Sequence, residues 1–210
     1  MSNKYSNEFI MLCISTLLTA CATPETTFYT LESQSQRPVV INTTIEKKPL
    51  IGIGPLSLPS LLDRRQIVTR AENNSIQMAE FDQWASPLKE NVITVLSKNV
   101  AALQPNAIVR AYPWSSYGSV DYHVIVDISR FDTQPGKSAN LEATWAIMEE
   151  KNHTIVINGQ TNIKQPLNDA SYSSVANTLS KLLSDFSQQI ALELVKVQHK
   201  GGSHANTTGS

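Results

Sequence analysis

The chain has 210 residues, which is enough for one ordinary domain and short for two. Its 17 basic and 18 acidic side chains nearly cancel, so the net charge of −1 provides no summed field that would attract nucleic acid or an anionic membrane surface. The apolar share of 41% is sufficient for a packed core. We therefore expect one globular domain and no nucleic-acid partner.

The N-terminus has the order of a bacterial export signal. Lys4 precedes an apolar run from Phe9 to Leu18, which is only about half as long as the ~20 residues that a bilayer-spanning helix needs. The run closes with Leu18-Thr19-Ala20-Cys21, which is similar to a bacterial lipobox. This order predicts a signal peptide over residues 1–20 and a lipid on the thiol of Cys21. The alternative is a buried N-terminal helix that carries an ordinary cysteine.

The two cysteines of the chain, Cys13 and Cys21, would leave no disulfide in the mature protein. Cys13 lies in the segment that would be removed, and Cys21 would be acylated, so the core alone must stabilise the domain. Several acyl chains hold a protein firmly at a bilayer. The tether over residues 22–27 extends at most about 20 Å, so we expect the domain to stay close to its membrane.

Strand patterns dominate the first third of the chain, and a helix follows them. The pair Ser86-Pro87 is typical of a helix start, with Ser86 as the cap. Apolar side chains then recur at spacings of three and four, which predicts a helix from Pro87 to about Gln104. The strands expected before it are Phe28–Leu31, Leu50–Leu58, Gln66–Ala71 and Ser75–Phe81, with a tight turn at Glu72-Asn73-Asn74.

The second half repeats this order with more strands and a longer helix. Apolar and polar residues alternate from Val120 to Phe131, which places Asp121, His123 and Asp127 on the wetter face of a strand. A long amphipathic helix is expected from Ser171 to Val197, with Asp169 as a candidate cap. The other strands expected here are Ala107–Tyr112, Leu141–Met148 and His153–Ile163.

Two helices are too few to cover both sides of a parallel sheet. We therefore predict an α+β fold, with a mixed, largely antiparallel sheet and two main helices packed on one face. The predicted layout is a signal peptide at 1–20, a lipidated cysteine and short tether at 21–27, a single domain at 28–197 and a disordered tail at 198–210.

Three motifs have residue types that occur at catalytic or nucleotide-binding sites. Gly52-Ile53-Gly54 follows a strand, but no third glycine opens a helix after it, so a dinucleotide-binding loop is disfavoured. Ser86 and Lys89 have the spacing of a Ser-x-x-Lys nucleophile without its companion motifs. Asp121, His123 and Asp127 share a strand face without a nucleophile. We expect no enzyme activity, no metal site and no cofactor.

One apolar segment is a candidate contact surface. A loop as apolar as residues 56–62 is either a short buried turn or an exposed surface for a partner. Tryptophan commonly fills a core and less commonly anchors an interface. The residues predicted as possible partner contacts are Leu56, Leu58, Leu61, Leu62 and Trp84.

Several ordered segments together resemble a known family. They are IGIGPLSLP (51–59), LPSLLDRRQIVTR (58–70), AEFDQWASPL (79–88), AYPW (111–114), DYHVIVDISRFD (121–132) and LEATWAI (141–147). With the lipobox before them, they resemble the PqiC/YmbA-type ABC-transport auxiliary lipoproteins, the family of the paraquat-inducible intermembrane transport lipoprotein. The resemblance covers most of the mature chain.

The resemblance implies an outer-membrane lipoprotein that faces the periplasm of a Gram-negative bacterium. Ala22 after the cysteine is similar to the outer-membrane sorting signal of such lipoproteins. The implied function is a non-enzymatic adaptor that docks an MCE/ABC-type intermembrane lipid transport assembly, with an MCE-domain protein of PqiB type as partner and a homo-oligomer as the assembled form. The alternative is a periplasmic lipid-binding carrier or lipid hydrolase that uses a cavity between helices and sheet.

Overall fold

The computed structural model describes residues 24–34, 38, 48–71, 73, 75–114 and 118–205. The strands and helices expected from the sequence are all present, and their ends differ by a few residues except at the end of the last helix. In chain order they are β1 (Thr27–Tyr29), β2 (Leu50–Ser57), β3 (Gln66–Arg70), β4 (Ile76–Trp84), α1 (Leu88–Leu103), β5 (Ile108–Ala111), β6 (Tyr122–Gln134), β7 (Ser138–Glu149), β8 (Thr154–Pro166) and α2 (Tyr172–Ala205).

The strands divide into two sheets, where the sequence analysis expected one. A five-stranded sheet has the order β5-β2-β6-β7-β8, and a three-stranded sheet has the order β1-β4-β3. β2 is parallel to β5 and β6, whereas β6, β7 and β8 form a long antiparallel meander. The tightly connected β3 and β4 pair with each other, and β1 occupies the other edge of β4. The α+β class and the mixed pairing are confirmed.

Both helices pack on one face of the five-stranded sheet, as predicted. α1 lies against β2 and β5, and α2 lies against β6, β7 and β8. We call this side the closed face and the opposite side the open face. Each large side chain buried on the closed face contributes about 1.5–3 kcal/mol. Its fully buried residues include Ile51, Ile53, Val124, Ile147, Leu182, Leu183 and Phe186.

A bulge in β6 exchanges which residues point to each face. The register of β6 against β7 shifts between Ile128 and Arg130. Because two residues of one strand then oppose one residue of the other, Ile128 and Phe131 both enter the core. Asp132 points to the opposite side and lies across from Asn140. The alternation expected from the sequence therefore holds only up to Ile128.

The start of α1 differs from the prediction by one residue. Pro87, not Ser86, occupies the N-cap position, and its backbone (φ −49°, ψ 131°) is not yet helical. The carbonyl of Pro87 accepts the N–H of Asn91 at 3.1 Å, and no side chain caps the helix. The predicted capping role of Ser86 is therefore wrong, because this residue precedes the cap.

The start of α2 is held by two residues. The Ser171 hydroxyl accepts the N–H of Ser174 at 3.2 Å, which is the usual N-cap bond. Asp169 supports the cap indirectly, because its Oδ1 accepts the N–H of Ser171 at 2.7 Å. Hydrogen bonds from the Ser171 hydroxyl and N–H lower the pKa of Asp169.

The C-terminal end of α2 extends beyond the predicted helix. It continues to Ala205 and so includes residues 198–205, which the sequence analysis assigned to a disordered tail, while 206–210 lie outside the described residues. Neither helix among the described residues is long and apolar enough to cross a bilayer.

Candidate functional site

The apolar loop that the sequence analysis singled out is largely part of the core. Leu56, Leu62 and Trp84 are buried. A turn after β2, in which the N–H of Leu62 donates to the carbonyl of Pro59 at 2.8 Å, folds the loop back onto the domain. Packing the apolar side chains of this loop against the core removes them from water, which favours the folded-back arrangement. These three predicted contact residues are therefore not accessible to a partner in this conformation.

The other two predicted contact residues remain accessible. Leu58 and Leu61 are only partly buried and pack against the edge of the core. The exposed residues Ser60 and Asp63 flank Leu61. This stretch keeps an apolar surface with a polar border, which is the usual composition of a protein contact.

The predicted lipid-attachment residue, Cys21, lies outside the described residues, as do residues 1–20. The description begins at Pro24, and the chain enters β1 at Thr27. β1 is an edge strand of the three-stranded sheet. Acylation of Cys21 stays a prediction.

An aromatic segment at residues 112–114 covers part of the open face. The ring of Trp114 lies over Gly52, where an added Cβ would come within 2.8 Å of the ring. Tyr112 lies beside Gly54, where an added Cβ would be 2.6 Å from the Cβ of Tyr112. The two rings meet edge to face, with centroids 5.3 Å apart. Gly52 therefore makes room for the ring of Trp114, whereas Gly54 makes room for the first side-chain atom of Tyr112 and for Ile93 of α1, whose Cδ1 would lie 3.0 Å from an added Cβ.

His123 lies under this segment and is only 8% exposed, although the sequence analysis placed it on a solvated face. Its ring centroid is 5.6 Å from that of Trp114. Its Nδ1 lies 2.7 Å from Oε1 of Glu150, and Oε2 of Glu150 lies 3.3 Å from Nδ1 of His153. The expectation of a solvated histidine is wrong because Trp114, in the segment between β5 and β6, folds back over it.

Glu150 is the residue that sequence reasoning missed at this site. It follows β7, whose last residue, Glu149, pairs with Tyr122 at the start of β6. This antiparallel pairing brings Glu150 next to His123. The signal that could have found it is the polar turn after β7, once the two strands are paired in register.

The other candidate carboxylates have partners elsewhere. Asp121 Oδ2 accepts the N–H of Leu50 at 2.7 Å, and Asp127 accepts the hydroxyl of Ser57. The Asp–His pair considered from the sequence is therefore not assembled. Among the residues that the structure describes, no group of three or more His, Cys, Asp or Glu side chains is arranged to hold a metal ion.

A cavity of about 880 Å³ opens beside this cluster, at the end of the five-stranded sheet. Burial, followed by the charges of Glu149 and Asp121, raises the pKa of Tyr122 in its wall. This pocket is open to solvent and bordered by charged side chains, whereas an acyl chain needs a site that encloses most of its surface. The charged residues that line it are Lys48, Asp121, Glu149, Glu150 and Lys151, together with His153.

The space between helices and sheet, where the alternative reading placed an acyl-chain cavity, is occupied by side chains. Leu182, Leu183 and Phe186 of α2 are completely buried there. Trp145 of β7 fills the space above Gly159 of β8. A close-packed interface of this kind offers no room to a lipid chain.

Residues 29–191 match the model of a family described as the ABC-type transport auxiliary lipoprotein component. The chain belongs to this family. Membership indicates a membrane-anchored lipoprotein of the bacterial envelope, auxiliary to transport, and favours a non-enzymatic role. The resemblance inferred from the sequence is thereby confirmed. No curated protein sequence matches the chain.

The fold of this auxiliary lipoprotein is similar to two solved structures. The crystal structure of protein XCC0632 from Xanthomonas campestris has 16% sequence identity and a TM-score of 0.64, with 84% of this chain and 99% of that chain covered. The crystal structure of an uncharacterized protein has 17% identity and a TM-score of 0.67, covering 81% of this chain and 99% of that one. At these identities the similarity concerns the fold alone.

Proposed function

We propose that this auxiliary lipoprotein is a non-enzymatic adaptor that docks an MCE/ABC-type intermembrane lipid transport assembly at the outer membrane. The observation that carries the proposal is the family match over residues 29–191, combined with a lipobox-like segment that ends at Cys21. Its partner would be an MCE-domain protein of PqiB type, and it would act as a homo-oligomer.

Geometry supports an adaptor that works through a longer partner. A domain of this length has a radius of gyration of about 16 Å. A tether from Cys21 to β1 adds about 20 Å at full extension. A lipid-anchored domain of this reach stays at one membrane, so any transfer between two membranes requires another protein to cover the distance.

The stretch that contains Leu58 and Leu61 supplies the contact surface of this proposal. Both side chains are half-buried and pack against the hydrophobic core, to which Leu56 and Leu62 of the same loop belong. A half-buried apolar side chain that already packs against the core loses little conformational entropy on binding, which favours it as a contact site. The three buried residues of the predicted set would then act by holding the loop in place.

Membrane fractionation tests the anchor. The wild-type chain is expected in the outer-membrane fraction of a density gradient, and Cys21→Ser is expected to abolish membrane attachment. Ala22→Asp should move the protein to the inner-membrane fraction. Recovery of Cys21→Ser in the outer membrane at the wild-type level would contradict the proposed anchor.

Cross-linking in cells tests the partner. A photoreactive side chain at position 61 should capture an MCE-domain protein, whereas the same group at Lys89, an exposed residue of α1, should not. Capture of the MCE-domain protein from both positions equally, or from neither, would contradict the assigned surface.

The lipid-carrier alternative makes a different prediction. A carrier purified from membranes would retain a bound phospholipid in native mass spectrometry, beyond the chains attached to Cys21. The close packing of Leu182, Leu183 and Phe186 against the sheet favours a protein without such a ligand. A stoichiometric phospholipid that remains bound to Cys21→Ser protein would favour the carrier.

A further inference from the structure

Met78 of β4 is a half-exposed methionine that lies against an arginine. Its side chain is 51% exposed, and its Sδ accepts a hydrogen bond from Nη1 of Arg64 at 2.9 Å. A thioether sulfur is a weak acceptor for a charged donor. Nε of the same guanidinium is buried and has no hydrogen-bond partner among the described residues. The charge of Arg64 is therefore poorly matched by the atoms around it.

Arg64 also differs from the other arginines beside the three-stranded sheet in its ionic contacts. Arg70 and Arg130 both pair with the carboxylate of Asp132. Arg64 makes no salt bridge within the part of the chain that the structure describes. A strongly polar oxygen at the position of the Met78 sulfur would therefore meet a cation that no carboxylate neutralises.

The contact between Arg64 and Met78 joins the turn that carries Leu61 to β4. Arg64 lies at the end of this turn, which connects β2 to β3. The carbonyl of the next residue, Arg65, accepts the N–H of Trp84 in β4 at 2.7 Å. The bond to the Met78 sulfur is a second link between the same two segments. A stronger acceptor at position 78 would hold the turn more firmly.

We propose that Met78 is a site of oxidation by hydrogen peroxide, and that Arg64 binds the oxygen of the resulting sulfoxide. A lone pair of Sδ attacks one peroxide oxygen, so that an S–O bond forms and the O–O bond breaks. The departing hydroxide takes the proton of the transferred oxygen and leaves as water. The sulfur is oxidised by two electrons and the peroxide is reduced. The inference goes beyond the proposed function, and the modification does not depend on the transport partner.

Oxidation at this position strengthens a contact that it would weaken in a core. A sulfoxide is polar, so it disrupts apolar packing when the methionine is buried. Met78 is exposed and does not belong to the hydrophobic core, and its sulfur already faces a cation. Charge-assisted hydrogen bonds are about twice as strong as neutral ones. The sulfoxide oxygen should therefore tighten the link between Arg64 and β4.

Peptide mass spectrometry tests the site in the full chain. Met78 and Met148 are the two methionines outside the predicted signal peptide. Met148 of β7 is only partly exposed and is the matched control. During brief treatment with dilute hydrogen peroxide, Met78 should gain one oxygen several-fold faster than Met148. Equal rates, or faster oxidation of Met148, would overturn Met78 as the site.

Hydrogen exchange tests the role of Arg64. Oxidation of the wild-type chain should slow amide exchange in residues 59–64 several-fold, and methionine sulfoxide reductases with dithiothreitol should restore the original rate. Arg64→Leu keeps an apolar side chain and removes the donors, so oxidation should not slow exchange in this variant. Equal slowing in both proteins, or unchanged or faster exchange in the oxidised wild type, would overturn the proposal.

A pair of substitutions at position 78 tests the same bond without an oxidant. Met78→Gln places an amide oxygen, a stronger acceptor than a thioether, beside Arg64, whereas Met78→Leu provides no acceptor. Exchange in residues 59–64 should be slower in Met78→Gln than in Met78→Leu, and peroxide should change neither protein. Equal exchange in the two variants would show that an acceptor at position 78 does not hold the turn, and would overturn the proposal.

Capture from position 61 connects the modification to the contact surface, and this step alone rests on the proposed function. A turn that is already held in place loses less freedom on binding. A photoreactive group at position 61 should therefore capture more MCE-domain protein in Met78→Gln than in Met78→Leu. Equal capture would overturn the effect on the contact surface. Absence of capture from both would contradict the proposed function, while the exchange measurements would still decide the role of Met78.

Discussion

On both the closed and the open face of the five-stranded sheet, a tryptophan ring packs over a glycine, but the two rings lie in different surroundings. On the closed face Trp145 lies over Gly159, where an added Cβ would be 2.5 Å from the ring. On the open face Trp114 lies over Gly52 in a similar contact at 2.8 Å. In both places a glycine on a neighbouring strand provides the space for an indole ring.

The surroundings of the two rings differ. Trp145 is buried, and its Nε1–H donates to Thr161 Oγ1 at 3.0 Å, which in turn donates to Gln189 of α2. Trp114 is half-buried and belongs to a surface segment after β5. The energy of a Trp–Gly contact therefore depends on what lies on the other side of the ring. This difference can be measured.

The largest expected effect separates the two tryptophans. Trp145→Ala should lower the free energy of unfolding by about 3–5 kcal/mol, because it opens a core cavity and removes a partner of Thr161. Trp114→Ala should lower it by about 1–2 kcal/mol, since part of the ring is already exposed. Urea unfolding of both variants measures the difference. Equal losses would show that the open face is packed as tightly as the closed one.

The second-largest loss of stability is expected at Asp132, at the other end of the open face, where the two sheets meet. Asp132 is 5% exposed and accepts hydrogen bonds from Arg70 of β3 at 3.0 Å, Arg130 at 3.0 Å and Asn140 at 3.2 Å. Asp132→Ala should lower the free energy of unfolding by about 2–3 kcal/mol, less than a fully buried pair because both arginines are partly exposed.

Asp127→Ala is the matched control for Asp132. It removes an exposed carboxylate of the same strand that accepts the hydroxyl of Ser57. Its expected effect in urea is below about 1 kcal/mol. A loss at Asp127 as large as that at Asp132 would mean that burial does not decide the contribution of these groups.

The third prediction compares the loss of stability when Gly159 and Gly52 are each replaced by alanine. Gly159→Ala should lower the free energy of unfolding by about 1–3 kcal/mol, because the new methyl group meets a ring that packing and a hydrogen bond hold in place. Gly52→Ala should lower it by about 1 kcal/mol or less, since Trp114 can move outward into solvent. A red shift of tryptophan emission in Gly52→Ala alone would confirm that movement; a red shift in neither variant would contradict it.

The closed face could be predicted from sequence and much of the open face could not. The helical spacing from Leu88 to Leu103 and the alternation from Val120 to Ile128 locate the core, because each is a local consequence of burying one side of an element. Nothing local shows that Trp114 covers His123, or that Glu150 reaches it. Those contacts depend on a loop after β5 and on strand register.

The candidate contact residues show the same division. An apolar run such as residues 56–62 has the same composition whether it is buried or exposed. Only the fold shows that Leu56 and Leu62 are in the core while Leu58 and Leu61 stay partly accessible. The bulge after Ile128 could likewise not be predicted from the sequence, because one extra residue in a strand does not change the composition of the segment.

The smallest effect concerns the start of α2, the helix that completes the closed face. Asp169 is fully exposed, and hydrogen bonds from Ser171 lower its pKa below the ordinary value of 3.8. The ionised carboxylate therefore stabilises the folded state above that value, and this contribution is lost as the pH falls through the lower folded pKa.

Asp169→Asn should therefore be less stable than wild type at neutral pH, by a small amount that shrinks as the solution is acidified below pH 3.8. Thermal unfolding of both proteins across this range measures the difference. Asn168→Ala, at the exposed neighbouring position, should show no such pH dependence relative to wild type. A difference between Asp169→Asn and wild type that stays constant on acidification would show that the charge of Asp169 does not support the Ser171 cap, and that α2 starts without help from the loop before it.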